Sequence, residues 1–540
     1  MKICLFLLML SLMLPGAASA ESAKTLCTTA TRSITRVSVH DPSIVKDRET
    51  GTYYVFGSHL AAASSVDLVN WKRISGDYQN TLNHPVYGNV VKNLAESFQW
   101  AGYMDGDCKT GLAVWAPDVH WDAAYQWEDG TVGAYLLYYS ASSTWRRSCI
   151  GYAVSKTVSG PYTYVDTVLY SGITATGTTD GNSTRDTGWY NDYLNFNELL
   201  ALGSENGGID EINPSWFKNN GSEYNTNLAP NCIDPTITED KDGNLWLVYG
   251  SWSGGLFLLE IDPATGAVRY PGVDGTDEVS GNRVDRYYGI HLAGGNHQSG
   301  EGPYIVWDAE AGYYFLYETY GGLTASGGYN MRLFRSESIT GPYVDAAGSP
   351  ATKNNMNNAS YGIKLIGNYC LEGQRGYRSA GHNSALIDDD GSRYLVYHQR
   401  FDEGTEYHEV RVRQQFLNED NWPVCAVYEN RNETIEHYAA EELTGTYELI
   451  NHLTNNGTTM LKNQTVTLAA DGTVSGDLTG TWAQSDSGKG YDWLTITTDK
   501  GVTYKGFFFR QLDESLQPTM TFSCIGSNNC CLWGNMEQGE

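Results

Sequence analysis

The chain has 540 residues, with 63 acidic side chains against 35 basic ones and a formal charge of −28. Such a surface repels phosphate backbones, which excludes a nucleic-acid-binding role. Beyond the first twenty residues no apolar run is long enough to span a bilayer as a helix. Gly (59), Tyr (38) and Trp (15) are abundant while charged residues make up only 18%. That is the composition of many short strands joined by tight turns, and aromatic faces suit a polar, ring-shaped ligand.

In chain order, the first feature is an export signal over residues 1–20. Lys2 supplies the positive start, Ile3 to Leu14 the apolar stretch and Ala18-Ser19-Ala20 the small-residue cleavage site. With no lipid-anchoring cysteine at the cut, the expected product is soluble, and secreted, periplasmic or held at the cell surface. Nine cysteines remain once Cys4 is removed, scattered except for Cys524, Cys530 and Cys531. The lack of any Cys-x-x-Cys pair argues against structural zinc. One disulfide through Cys524 is compatible with this spacing; a disulfide framework is not.

A repeat then organises the chain. A turn followed by a Tyr-rich strand occurs at Gly51–Phe56, Gly133–Tyr138, Gly243–Tyr249, Gly312–Tyr317 and Gly391–Tyr397. Each copy follows a short segment carrying a polar residue. Twelve residues separate Asp41 from Tyr53, Asp234 from Trp246, Glu301 from Tyr313 and His382 from Tyr394. Asp118 and Tyr135 are seventeen apart, so Asp118 reads as structural. Five units of three or four antiparallel strands predict an all-β five-bladed β-propeller over residues 21–430. In that fold, residues starting each innermost strand gather around the axis, which brings Asp41, Asp234, Glu301 and His382 together. The stretch from Val165 to Pro230 is Gly/Asn/Asp-rich and weakly patterned, and reads as an insertion lining one face. Residues 431–540 alternate polar and apolar residues and predict a small antiparallel β-barrel or sandwich.

Three acids in register point to chemistry. Glycosidic hydrolysis needs one carboxyl to protonate the leaving oxygen and one carboxylate to activate water or attack carbon. A third acid nearby holds the first protonated by like-charge repulsion.

Six ordered segments carry a resemblance over about Val37 to Val427. They are His40-Asp41-Pro42-Ser43-Ile44, Trp115-Ala116-Pro117-Asp118-Val119, Asn231-Cys232-Ile233-Asp234-Pro235, Tyr249 to Gly255, Glu301-Gly302-Pro303-Tyr304 and Gly381-His382-Asn383-Ser384. Together they resemble glycoside hydrolase family 43, and within it the extracellular endo-α-1,5-L-arabinanases. The resemblance implies an inverting enzyme acting on arabinan or a related plant cell-wall polysaccharide. Asp41 would be the base, Glu301 the acid and Asp234 the residue that raises the acid's pKa. It also implies calcium facing His382, although calcium prefers oxygen ligands.

Asn231, Ser251 and Ser253 are candidate sugar contacts, as are Trp115, Trp252 and His297, with filling of blade interfaces the alternative for the two tryptophans. An insertion across one end of the groove would convert endo action into exo action. The rival readings are an exo-acting α-L-arabinofuranosidase or β-xylosidase of the same fold, and a non-catalytic glycan-binding propeller.

Overall fold

The structure is a computed structural model that describes residues 30–143, 147–179, 185–353 and 358–537. The expected export signal and Cys27 lie outside the described residues. Each Tyr-rich repeat forms the second strand of an antiparallel sheet: Tyr53–Phe56, Val132–Ser142, Leu245–Tyr249, Tyr313–Tyr320 and Arg393–Phe401. The burial explains the sequence pattern. Val132–Ser142 is buried along its whole length after Val132, covered on both faces, so it reads as a continuous apolar run instead of an alternation.

Four of these sheets have four strands in chain order, and the third has seven. Its extra strands include Gly275–Thr276, Arg283–Asp285 and Gly289–Ala293, the last of which pairs with Leu256–Ile261. The first strands are Ser43–Lys46, Val114–Gln126, Thr236–Glu239, Glu301–Asp308 and Tyr377–Ile387. Each neighbours the first strand of the sheet before it and after it, and the fifth neighbours the first. The cycle encloses an axis, which makes the arrangement propeller-like.

Apolar side chains fill the wedges between sheets. Ile44, Val55, Val396 and Val412 pack between the first and fifth sheets; Val248, Leu258, Leu316 and Phe334 pack between the third and fourth. Each such side chain contributes roughly 1.5–3 kcal/mol by leaving water.

The C-terminal region is a closed eight-stranded barrel in which Gly445–Asn451 pairs with Cys531–Met536. Strand Thr503–Leu512 shows how it attaches. Successive side chains on a strand point to opposite faces. Phe508 therefore joins the barrel interior, while Phe507 and Phe509 join a cluster with Tyr369, Phe401 and Trp422 of the propeller.

Two expectations need correction. Cys524 is buried and unpaired, and the other seven described cysteines are unpaired too. The insertion begins later than Val165, because Thr163–Ser171 is the fourth strand of the second sheet. Among the described residues no helix is long and apolar enough to cross a membrane.

Candidate active site

The same left-handed backbone step recurs at or near the start of each first strand. Asp41, Ala116, Asp234, Gly302 and His382 have φ of 53°, 37°, 55°, 59° and 46°. Proline follows the first four and Asn383 the fifth. Left-handed backbone costs a non-glycine residue on the order of 1–2 kcal/mol, and such strain collects where function over-determines the geometry. The ring also corrects the sequence register. Gly302, not Glu301, is the equivalent of Asp41 and Asp234, so Glu301 enters from one residue earlier. Asp118 belongs two places further along, with Ser43, Thr236, Tyr304 and Ser384. There it ties neighbouring sheets, accepting from the Ser43 hydroxyl and, at 2.7 Å, from the Ile237 N–H. Burial pushes its carboxyl up to about 6.

Asp41, Asp234 and Glu301 line one open hollow of about 640 Å³, to which all five sheets contribute. One side of the hollow centres on Asp41. Its Oδ2 lies 2.8 Å from His40 Nδ1 and accepts from the Ser58 hydroxyl, which in turn accepts from the Ala116 N–H at 2.9 Å. Its Oδ1 lies 3.2 Å from His382 Nδ1. The Arg400 guanidinium is 3.1 Å from His40 Nε2 and can only donate, so His40 carries its proton on Nδ1 and gives that hydrogen bond to Asp41. The Asp41 N–H donates to His398 Nδ1 at 3.3 Å. His398 stacks on His40 with ring centroids 4.1 Å apart. Burial raises the Asp41 pKa, but His382, His40 and His398 outweigh it and hold the carboxyl well below its ordinary value.

The side around Glu301 and Asp234 is built differently. Glu301 Oε2 accepts from Trp252 Nε1 at 2.9 Å and from Ser251 Oγ at 3.2 Å; Oε1 lies 2.6 Å from Tyr329 Oη. An indole N–H only donates, so a proton on this carboxyl belongs on Oε1, against the Tyr329 hydroxyl. Asp234 accepts from the Gly302 N–H at 3.2 Å. Burial, then the charges of Glu301 and Asp41, push the Asp234 carboxyl well above its ordinary value. Asp234 thus holds its proton far more tightly than Asp41 does.

Trp115 and Asn231 line the hollow, and Asn231 also accepts from Ser171 Oγ at 3.4 Å. Ser253 and His297 are not among the lining residues. The His297 N–H donates to the Ser253 carbonyl at 2.8 Å, and the His297 ring packs on Trp252 at 5.8 Å. They support Trp252 from behind. Trp252 itself does more than offer a face, since its indole grips Glu301. Sequence reasoning missed Ser58, Tyr329, Arg400 and His408, which the fold alone brings to the hollow, and His398, which lies behind Asp41. His40 was within reach, standing beside Asp41 in the quoted motif.

The comparisons with known proteins agree with this geometry. The model for glycosyl hydrolases family 43 matches residues 208–423. The chain is 36% identical to extracellular endo-α-(1→5)-L-arabinanase 2 of Bacillus subtilis, covering 92% of this chain and 93% of that one. The chain belongs to family 43 of the glycosyl hydrolases. As a member it is a glycoside hydrolase. It is also 34% identical to the extracellular endo-α-(1→5)-L-arabinanase of Thermotoga petrophila, over 92% of this chain and 93% of that one. The crystal structure of endo-1,5-α-L-arabinanase from the same organism superposes with a TM-score of 0.75 at 31% identity, covering 94% of this chain and all of that one. The barrel matches the C-terminal lipocalin-like domain of family 43, over residues 427–534.

The residues around His382 test the calcium expectation. Calcium takes roughly six to eight oxygens. Near His382 the oxygen donors are the Asp41 carboxylate, already shared with Ser58 and histidines, and the Asn383 amide. Both polar atoms of that buried amide lack a protein partner. This set fits a cation that keeps most of its water, with His382 facing it, and does not form a protein cage.

Proposed function

We propose that this family 43 enzyme cleaves α-1,5-linked L-arabinan within the chain and inverts the anomeric carbon. A propeller over residues 21–430, with the seven-stranded sheet as the third of five blades, would carry the site, and residues 431–540 the barrel. The observation that carries the reading is the convergence of three carboxyls from three sheets in one hollow, with Asp41 held well below and Asp234 well above the ordinary carboxylate value. Asp41 takes a proton from a water as that water's oxygen bonds to the anomeric carbon. Glu301 gives its Oε1 proton to the departing sugar oxygen as the glycosidic bond breaks. Asp234 opposes loss of that proton beforehand.

A calcium bound at His382 with its water shell would supply positive charge beside Asp41. Endo action is supported by the names of the relatives and by the hollow's lining, to which no described residue of 172–230 contributes. The relatives' extracellular naming supports export. Trp115 and Asn231 are placed to meet the sugar.

The test is hydrolysis of linear arabinan. Early products should span a range of oligomers, and proton NMR of nascent product should show the anomer opposite to the substrate's. Glu301→Ala should abolish turnover without unfolding. Monosaccharide as the only early product would assign exo action, and near-normal turnover by Glu301→Ala would remove the acid assignment.

A further inference from the structure

The barrel reaches the acid side of the hollow through one loop. We propose that the barrel segment Thr454–Gly457 is a positioning element for Glu301, acting through Tyr329; this rests on reading Glu301 as the acid. The loop leaves the barrel's first strand, Gly445–Asn451, and lies against the fourth propeller sheet. Arg332 Nη2 donates to the Thr454 carbonyl at 2.5 Å and to Asn456 Oδ1 at 2.8 Å. Lys364 Nζ donates to the Asn455 carbonyl at 2.7 Å. Both side chains are buried, with 0% and 2% exposure, so losing these acceptors would strand the Arg332 charge and the polar Lys364 amine away from water. The loop is therefore held firmly.

That grip brackets Tyr329. Asn456 Oδ1 also accepts from Asn330 Nδ2 at 3.4 Å, and Asn330 Nδ2 donates to the Gly328 carbonyl at 2.9 Å. Arg332 Nε donates back to Asn330 Oδ1 at 2.7 Å. Gly328, at φ 72°, lies so close that a Cβ there would sit 2.9 Å from the Asn456 carbonyl oxygen and 3.1 Å from that of Gly457. Only glycine allows that approach. The residues on both sides of Tyr329 are thus pressed or bonded by Asn456. Tyr329 is itself buried, and its hydroxyl meets Glu301 at Oε1, the oxygen that carries the transferable proton. A shift of the loop moves Tyr329 and with it the direction in which the acid presents its proton. Positioning errors of about 1 Å cost catalysis heavily. Asn456 is in this sense a positioning residue that touches no substrate.

The experiment exploits leaving-group chemistry in the full-length chain. A dinitrophenyl α-glycoside of a 1,5-arabino-oligosaccharide loses a phenolate that needs no proton, whereas arabinan requires the acid. Glu301→Ala should lose arabinan cleavage and keep the aryl glycoside. Tyr329→Phe should lower kcat on arabinan about tenfold, and Asn456→Ala about threefold, with KM within about twofold and the aryl rate unchanged. Asn456→Asp, whose oxygen accepts from the same two donors, should recover most of the loss. Asn456→Gln shifts the amide by one methylene and gives the same split if the alanine variant folds poorly. Equal loss on both substrates, or none on arabinan, in the Asn456 variants overturns the proposal while Glu301→Ala still discriminates. If Glu301→Ala itself does not discriminate, the acid assignment fails first.

Discussion

The two sides of the hollow bury their carboxyls equally and treat them oppositely. Asp41 is 8% exposed and Asp234 7%, so desolvation pushes both toward the neutral form. Asp41 is surrounded by imidazoles and a hydroxyl and ends well below its ordinary value. Asp234 has two carboxyls for company and ends well above it. Burial sets the stakes in such a site, and the neighbours decide the sign. Carboxyls shifted in opposite directions can therefore share one cavity a few residues wide.

The sharpest way to break this contrast is Asp41→Asn. It keeps the shape and the left-handed backbone, which Asn tolerates. It should lower kcat on arabinan about a thousandfold with an unchanged circular dichroism spectrum. Substantial residual turnover would mean that another group serves as base. Trp252→Phe comes next. It keeps an aromatic face but removes the donor to Glu301 Oε2, so kcat should fall about tenfold with KM little changed. A rise in KM with kcat intact would return Trp252 to the role of sugar platform. Ser58→Ala is milder: it removes one donor to Asp41 and leaves the Ala116 N–H without its acceptor. Here kcat should drop about threefold and Tm by a few degrees.

Much of this site is legible in the sequence, for a physical reason. All five Tyr-rich repeats became second strands because a doubly buried strand must be apolar along its length, and that is visible in sequence. Asp41 and Asp234 were legible because Asp-Pro marks the same strained step in successive sheets. Glu301 was found by the same spacing but for a slightly wrong reason, since the fourth sheet places Gly302 at the repeated step. What stayed hidden was the environment. His398, His408 and Arg400 come from the last sheet, more than 350 residues from Asp41, and no local pattern marks them. Tyr329 was equally silent: it was one tyrosine among 38 until the chain folded. The disulfide expected at Cys524 failed because that side chain faces a barrel interior already filled by Phe508 and Phe522.

The smallest predicted effect probes the acid side most directly. Because Asp234 has a raised pKa, the folded protein keeps a proton that the unfolded chain releases. The associated stability is complete below the ordinary carboxylate value of 3.8 and is lost as pH rises toward the folded value. Asn at this position cannot ionise, can still accept from the Gly302 N–H and tolerates a φ of 55°. Asp234→Asn should therefore raise Tm by about 2 °C at pH 7.5 and leave it unchanged near pH 4. If Tm at pH 7.5 stays where it is, Asp234 is not the group that keeps this proton, and the contrast with Asp41 loses one of its two halves.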